Sequence, residues 1–329
     1  MVREESKSEI KNDRGAKIKN SKIITENENY EEFTSTQIKN HNNIVREVFP
    51  AQNNELNPIT EEQHPISNLQ DTEKAPILNI EVISSSTDPN GTLLQINAKG
   101  LVNSQRNAND GISYFGYEEG NKVNTLDYII TPKEEARDCL DERFFGKHFQ
   151  IKYEPSDSKY YLKDLGHGFG TFIKISSLVQ IKNNLLINIG ENYIVFTLGQ
   201  EEDTVMTKLN SPDKEDYDNM INIKVFSGNV RQDVLSFTPK KSPFTLGRSP
   251  DCEILIDDSM LSRVHCTVSF KGGYWYIMDG SIIDEDEVRK STNGTWVYAF
   301  EDMEITEQMT FKANHNLFIC SFGQNDIQE

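Results

Sequence analysis

The chain has 329 residues, a net charge of −18 and only 36% hydrophobic residues. This length allows two medium-sized domains, and the low apolar content indicates that part of the chain lies outside a packed core. The acidity argues against nucleic acid or an anionic membrane as a partner, and no apolar run reaches the length of a membrane span. The 4 cysteines show no C-x-x-C spacing, so we expect an intracellular, reducing location.

The first 74 residues are dominated by Asn, Glu, Lys, Ser and Gln. Their apolar residues are sparse and follow no period, apart from a short helical pattern at residues 43–48. Such a segment buries too little surface to offset its ordering entropy. We therefore predict a disordered acidic and polar tail over residues 1–74.

From residue 75 the sequence changes to short runs in which apolar and polar residues alternate. Examples are Ile77–Ile83 and His148–Tyr153, separated by clusters of Gly, Asn, Asp and Ser. This period of two predicts antiparallel β-sheet. Residues 201–218 are charged and predict a linker. The alternation then resumes, so we expect an all-β fold with two β-sandwiches in tandem, at residues 75–200 and 219–326.

Three short motifs lie between strand-like runs of the second region, which places each of them on a loop. They are Gly247-Arg248-Ser249, Leu261-Ser262-Arg263-Val264-His265 and Ser291-Thr292-Asn293-Gly294-Thr295. Arginine offers a planar fork of donors for phosphate oxygens, and serine adds a hydroxyl donor. Asparagine both donates and accepts, so it can pair with a peptide backbone. Together they indicate a phosphate site at one end of a sandwich.

The order and spacing of these motifs resemble the forkhead-associated (FHA) domain, a phosphothreonine-binding β-sandwich. The resemblance covers roughly the last third of the chain. It implies that a phosphopeptide is contacted by Arg248, Ser262, Arg263, Thr292 and Asn293. It also implies structural roles for Gly247, His265 and Gly294, with His265 bridging the binding loops.

Each of these residues also has a simpler interpretation. Arg248 could be an ordinary surface arginine, Ser262 a turn residue and Asn293 part of an Asn-Gly turn. We favour binding for these three. For Arg263 the two interpretations, ligand contact and solvated side chain, remain equally open. The segment between Asp279 and Ser291 is longer than the family usually has, and we expect it to influence peptide specificity.

The first β region resembles a second, degenerate copy of the same domain. The matching segments are His148–Ile151 with His265–Val268, Tyr161–Asp164 with Tyr276–Asp279, and Gly170–Phe172 with Gly294–Trp296. Tyr117 stands where Arg248 would align, Phe145 replaces the serine and Phe169 replaces the asparagine. Without these donors the copy loses its charge-assisted hydrogen bonds. We expect a scaffold without phosphate binding; a basic site built from Lys147, His148 and His167 is the less favoured alternative.

The chain shows no catalytic motif and no cluster of histidines and cysteines with metal-ligand spacing. The sequence therefore predicts a non-enzymatic adaptor without a cofactor, whose partner is a phosphothreonine-containing protein. The alternative is an assembly scaffold, in a cytoskeletal or ciliary complex, that uses both sandwiches for phosphate-independent contacts.

The tail carries Ser35-Thr36-Gln37, which resembles a site for damage-response kinases. Thr25 and Thr60 also lie beside glutamates. A phosphorylated tail would be a ligand for an arginine-lined pocket, either in its own chain or in a second copy. Phosphorylation-dependent self-association is therefore one of the expectations.

Overall fold

The structure, a computed structural model, describes residues 44, 48, 72, 75–85, 88–118, 125–131, 144–199, 219–227, 230, 231, 234–284 and 287–323. The predicted linker at 201–218 and nearly all of the predicted tail lie outside these residues. Apart from helical positions at 44, 48 and 72, a 3-10 position at Phe144 and a 3-10 turn at Pro239–Lys241, regular structure in the described part is β-strand. The prediction of an all-β fold is confirmed.

The strands follow one another along the chain with short connections. Those before the predicted linker are β1 (Ile77–Ser84), β2 (Thr92–Asn97), β3 (Gly100–Leu101), β4 (Ile112–Tyr117), β5 (Tyr128–Ile129), β6 (Gly146–Glu154), β7 (Lys159–Asp164), β8 (Thr171–Lys174), β9 (Val179–Gln180), β10 (Leu185–Ile189) and β11 (Asn192–Leu198). Those after it are β12 (Ile221–Ser227), β13 (Val230–Arg231), β14 (Leu235–Phe237), β15 (Phe244–Gly247), β16 (Ile254–Leu255), β17 (Cys266–Lys271), β18 (Tyr274–Asp279), β19 (Ser281–Asp284), β20 (Glu287–Arg289), β21 (Trp296–Tyr298), β22 (Met303–Glu304), β23 (Thr310–Ala313) and β24 (Asn316–Gly323).

One long sheet of 12 strands underlies both halves of the fold, in the order β13-β12-β11-β10-β21-β8-β23-β24-β1-β2-β3, with β14 paired to β12. A 5-stranded sheet, β22-β7-β6-β4-β5, packs on one end of it, and another, β16-β15-β17-β18-β9, packs on the other. Nearly all pairs are antiparallel; β4–β5 and β15–β16 are parallel.

Two hydrophobic cores lie between these sheets. The first core combines buried residues between Ala75 and Leu162 with buried residues between Ala299 and Cys320. The second core combines residues between Ile175 and Phe196 with residues between Ile221 and Val297. Each core therefore combines residues from before the predicted linker with residues from after it.

The C-terminal strands of the two β regions are exchanged. The upstream hairpin, β10–β11, pairs with β21 and β12 in the second core, and β9 pairs with β18. The downstream hairpin, β23–β24, pairs with β8 and β1 in the first core, and β22 pairs with β7. The chain crosses over at β8 and β21, which pair with each other through Ile173 and Val297.

The sequence-based boundaries, 75–200 and 219–326, thus do not coincide with the two cores. The physical reason is that alternation specifies which face of a strand is buried but not which strand lies beside it. Both hairpins consist of strands rich in apolar residues, so apolar content alone does not decide which sandwich each of them completes. The pairing partners, visible only in three dimensions, decide the division.

The opposite face of the long sheet carries a further cluster around the crossing strands. It contains Phe172, Tyr193, Trp296 and Tyr298, and Ile44 is buried among them with 4% exposure. At Ile44 the chain therefore differs from the expected disordered tail, because this apolar side chain finds an apolar surface to cover. Among the described residues, no helix has the length and apolar character needed to cross a membrane.

Candidate phosphopeptide site

The glycine of the first motif brings two loops into contact. Gly247 ends β15, and a Cβ there would collide with the carbonyl oxygen of Arg263. The close approach lets the Arg248 N–H donate to the Ser262 carbonyl at 3.2 Å and the Ser249 N–H to the Arg263 carbonyl at 3.0 Å. The Gly-Arg loop and the Ser-Arg loop are thus held together by their backbones, which a side chain at position 247 would prevent.

The third motif joins them through Ser262. The Thr292 N–H donates to the Ser262 hydroxyl at 2.9 Å, and that hydroxyl lies 3.3 Å from the Thr292 hydroxyl. The structure therefore brings Arg248, Ser262, Arg263 and Thr292 to one edge of the second core. Arg248, Arg263 and Thr292 are exposed, and Ser262 is half-buried.

Both arginines are available to a ligand. Within the described ranges, no hydrogen bond or ion pair engages the guanidinium of Arg248 or of Arg263. A guanidinium in this state presents its full fork of donors. Asn293 is partly engaged, because its amide donates to the Met260 carbonyl at 2.9 Å. The backbone carbonyl of Asn293 accepts a hydrogen bond from the Trp296 indole N–H at 2.9 Å, which fixes the loop onto β21.

His265 lies beneath this edge with no exposed surface. Its Nε2 lies 3.0 Å from the Gly294 carbonyl, so it donates there, and its Nδ1 accepts the Ser262 N–H at 3.2 Å. This pattern requires the neutral ring. Burial lowers the pKa of His265, since desolvation disfavours the imidazolium, while the Gly294 carbonyl opposes that shift. The residue thus connects the second and third motif loops. Gly294 itself has φ of +78°, which favours glycine.

Two aspartates also hold the loops, and sequence reasoning gave neither a role. Asp279, at the end of β18 with 2% exposure, accepts from the hydroxyls of Ser291 at 2.6 Å and Thr295 at 2.8 Å. Its alignment with Asp164 was the available signal. Asp258 accepts from the Met260 N–H at 2.8 Å and from the upstream hairpin. No sequence pattern marks the role of Asp258, because its partners in the upstream hairpin are remote in the chain.

The basic residues that lie close to the motifs in sequence are not all at the site. Lys240 and Lys241 precede β15, whereas Gly247 ends it, and the Lys241 ammonium lies 6.0 Å from the Phe237 ring centroid. The Lys290 ammonium donates to the Ser176 carbonyl at 3.0 Å. The long segment after Asp279 forms the hairpin β19–β20, whose exposed aliphatic side chains are Ile282, Ile283 and Val288.

The corresponding edge of the first core has the same backbone arrangement but different side chains. A Cβ on Gly116 would collide with the Gly146 carbonyl, just as one on Gly247 would with Arg263. Beside it Tyr117, Phe144 and Phe169 form an aromatic cluster, with Phe144 and Phe169 rings 5.0 Å apart. His148 lies below, and its Nε2 donates to the Phe144 carbonyl at 2.6 Å. Aromatic packing thus occupies the place that the motif residues take in the second core.

Comparisons with known proteins give one family match. Residues 244–310 match the family model of the FHA domain. Among curated proteins, a search finds no match. An FHA domain from a structural and functional analysis of phosphothreonine-dependent FHA domain interactions is 12% identical, with a TM-score of 0.13, over 27% of this chain and 85% of that chain.

Two other solved structures are similar to the same extent. FHA-1 of Mycobacterium tuberculosis Rv1747 is 13% identical, with a TM-score of 0.15, over 28% of this chain and 89% of that chain. The Rv0020c FHA structure is 12% identical, with a TM-score of 0.13, over 28% and 84%. The span that matches the FHA family model, residues 244–310, includes the loops of all three motifs.

Proposed function

We propose that this chain is a non-enzymatic adaptor that binds phosphothreonine peptides at the edge of its second core. The observation that supports this most is the convergence of three motif loops at Ser262, whose backbone carbonyl accepts from the Arg248 N–H and whose hydroxyl accepts from the Thr292 N–H. The guanidinium groups of Arg248 and Arg263, which no described residue engages, are exposed at this edge. The side chains of Ser262, Thr292 and Asn293 lie beside them and are at least partly exposed. A phosphate group needs such a set of fixed donors, and the water-exposed edge leaves room for a peptide.

Each side chain has a distinct role in the proposal. Arg248 binds the phosphate through two parallel hydrogen bonds, and the Ser262 hydroxyl donates a hydrogen bond to a phosphate oxygen. Thr292 contributes a hydroxyl, and Asn293 uses its remaining amide capacity on the peptide backbone. Arg263 contacts either the phosphate or the backbone. Gly247, His265 and Gly294 hold the loops and do not contact the ligand.

The test is a calorimetric titration of the full-length protein with three peptides of the same sequence, carrying phosphothreonine, phosphoserine or threonine. The full chain is required because residues 219–329 lack the upstream hairpin that completes the second core. We expect binding of the phosphothreonine peptide, weaker binding of phosphoserine and none of threonine. A degenerate phosphothreonine library that shows no binding above the unmodified library would refute the proposal.

The first core supports a different role. We propose that it is a degenerate FHA copy that acts as a scaffold, on the strength of the parallel between Gly116 and Gly247 and the reciprocal strand exchange. Tyr117, Phe144 and Phe169 supply no charged donor for a phosphate. This observation also favours the second candidate function, phosphate-independent assembly. A partner that binds Arg248→Ala as well as the unaltered protein would identify that function.

Self-association through the tail remains a further proposal. Thr25, Thr36 and Thr60 lie outside the described residues, so it is supported by their sequence context and the proposed site. Light scattering of kinase-treated full-length protein should show a dimer, or a monomer that no longer binds added phosphopeptide. A treated protein that stays monomeric and binds added peptide as well as a protein beginning at Thr72 would exclude it.

A further inference from the structure

The edge that carries the proposed phosphopeptide site is in direct contact with the turn of the upstream hairpin. This turn, Gly190–Asn192, precedes the predicted linker in sequence. It contacts the second core only because the hairpins are exchanged. The Glu191 N–H donates to the Asp258 carboxylate at 3.1 Å, across 67 residues of sequence. The Asn192 side-chain amide donates to the same Asp258 oxygen at 2.6 Å.

The other oxygen of Asp258 is hydrogen-bonded to the loop that carries Ser262. It accepts the Met260 N–H at 2.8 Å, and the Met260 carbonyl accepts the Asn293 amide at 2.9 Å. Leu261 and Ser262 follow directly, and Leu261 is buried with 2% exposure in the second core. Asp258 thus connects the turn of the upstream hairpin to Asn293 through two successive hydrogen bonds.

The turn itself is held by hydrogen bonds. Asn192 has 3% exposure, and its carbonyl oxygen Oδ1 accepts the Ser227 hydroxyl at 2.6 Å. The Asn188 amide spans the turn, with donations to the Gly190 and Asn192 carbonyls at 3.2 and 3.1 Å. A Cβ on Gly190 would collide with the Asp258 carboxylate, so the turn and the loop are in close contact.

We infer that Asp258 is a positioning residue for phosphopeptide binding, and that the site is completed by the upstream hairpin. This inference rests on the proposed function. A carboxylate is required because both of its oxygens accept hydrogen bonds from opposite sides. An asparagine of the same shape has one accepting oxygen and one donating amide, so it can satisfy only one side.

The matched control is the neighbouring residue. Asp257 is exposed and belongs to the same loop, and no described contact engages its side chain. Asp257→Asn therefore makes the same change of charge near the site without breaking the connection. We expect Asp258→Asn to weaken binding of a phosphothreonine peptide by about tenfold, the effect of losing a hydrogen bond to a charged group, and Asp257→Asn to leave it unchanged.

Gly190→Ala tests the contact from the other side and also serves if Asp258→Asn does not fold. It should weaken binding of the same peptide, and in the double variant the two effects should be less than additive, since they break one connection. Affinities are measured by calorimetry well below the melting temperature of each variant. The side-chain amide resonance of Asn293 in the ligand-free protein supplies a readout that a general loss of stability would not move.

The outcomes separate the two proposals. Binding by the unaltered protein, with weaker binding and a shifted Asn293 resonance in Asp258→Asn, supports the inference. Binding by the unaltered protein that Asp258→Asn and Gly190→Ala leave unchanged overturns it and leaves the proposed function intact. Absence of binding by the unaltered protein overturns the proposed function and the inference together.

Discussion

Arg248 is the side chain on which the proposed phosphate contact depends most. Arg248→Ala should weaken phosphothreonine-peptide binding by about tenfold to a hundredfold, because hydrogen bonds to charged groups contribute about 1.5–3 kcal/mol. The melting temperature should stay nearly unchanged, since exposed substitutions cost about 0.5 kcal/mol or less. Calorimetry and thermal melts check both expectations.

The control for this change is Arg289→Ala. Arg289 is an exposed arginine on β20, close in sequence to Thr292, so the net charge changes equally. Its loss should leave affinity within about twofold if the contact of Arg248 is specific rather than a long-range attraction. Equal weakening by both substitutions would show that Arg248 acts only through its charge.

His148 gives a pH-dependent prediction for the first core. Burial lowers its pKa to about 4, and the ring is held neutral between Phe144 and Asn314. Below the ordinary pKa of 6.5, His148 binds a proton in the unfolded chain but stays neutral in the folded protein. The stability that this residue contributes is therefore lost as the pH falls from 6.5 towards 4. The full effect is about 3 kcal/mol.

Asp164 acts in the opposite sense, because burial raises its pKa to about 6, against hydrogen bonds from Tyr298 and Gly166 that lower it. Its folded carboxyl takes up a proton as the pH falls through 6, which stabilises the protein. The contribution of His148 is therefore measured as the difference between the unaltered protein and His148→Gln. If the His148 imidazole titrates near pH 6.5 in the folded protein by NMR, the lowered pKa of His148 is contradicted.

At the scale of elements, the strands and their buried faces followed from alternation, whereas the partners of the hairpins did not. Phe196 and Phe318 illustrate the difference, since they belong to the predicted sandwiches at residues 75–200 and 219–326, respectively. Phe196 lies in the second core and Phe318 in the first. The three motif loops were placed together because short loops at one end of a sandwich are neighbours. Asp258 was missed because its role depends on the exchange.

The exchange predicts where destabilisation spreads. Phe196→Ala removes a side chain with no exposed surface and should cost about 3–5 kcal/mol. Hydrogen exchange should then rise in β12, β17 and β18 of the second core. Phe318→Ala, the reciprocal control, should instead raise exchange in β4, β6 and β7. Raised exchange in the first core on changing Phe196 would contradict the observed pairing.

For the whole molecule, the exchange predicts that cleavage between the two halves of the chain does not separate them. The two halves are joined by β1 with β24, by β11 with β12, and by β8 with β21. A protease sequence inserted within 201–218 should therefore yield two pieces on a denaturing gel that still elute as one particle from a native sizing column. Pieces that separate at micromolar concentration would show that each sandwich folds from its own contiguous segment.

The central claim is that a phosphothreonine peptide binds at the edge of the second core and not at the first. Mapping amide chemical shifts of the full-length protein during a titration with such a peptide tests it most directly. We expect the shifts to cluster at Arg248, Ser262, Thr292 and Asn293, while the amide of Tyr117 stays unperturbed. Shifts confined to the aromatic cluster of the first core, or no shifts at saturating peptide, would contradict it.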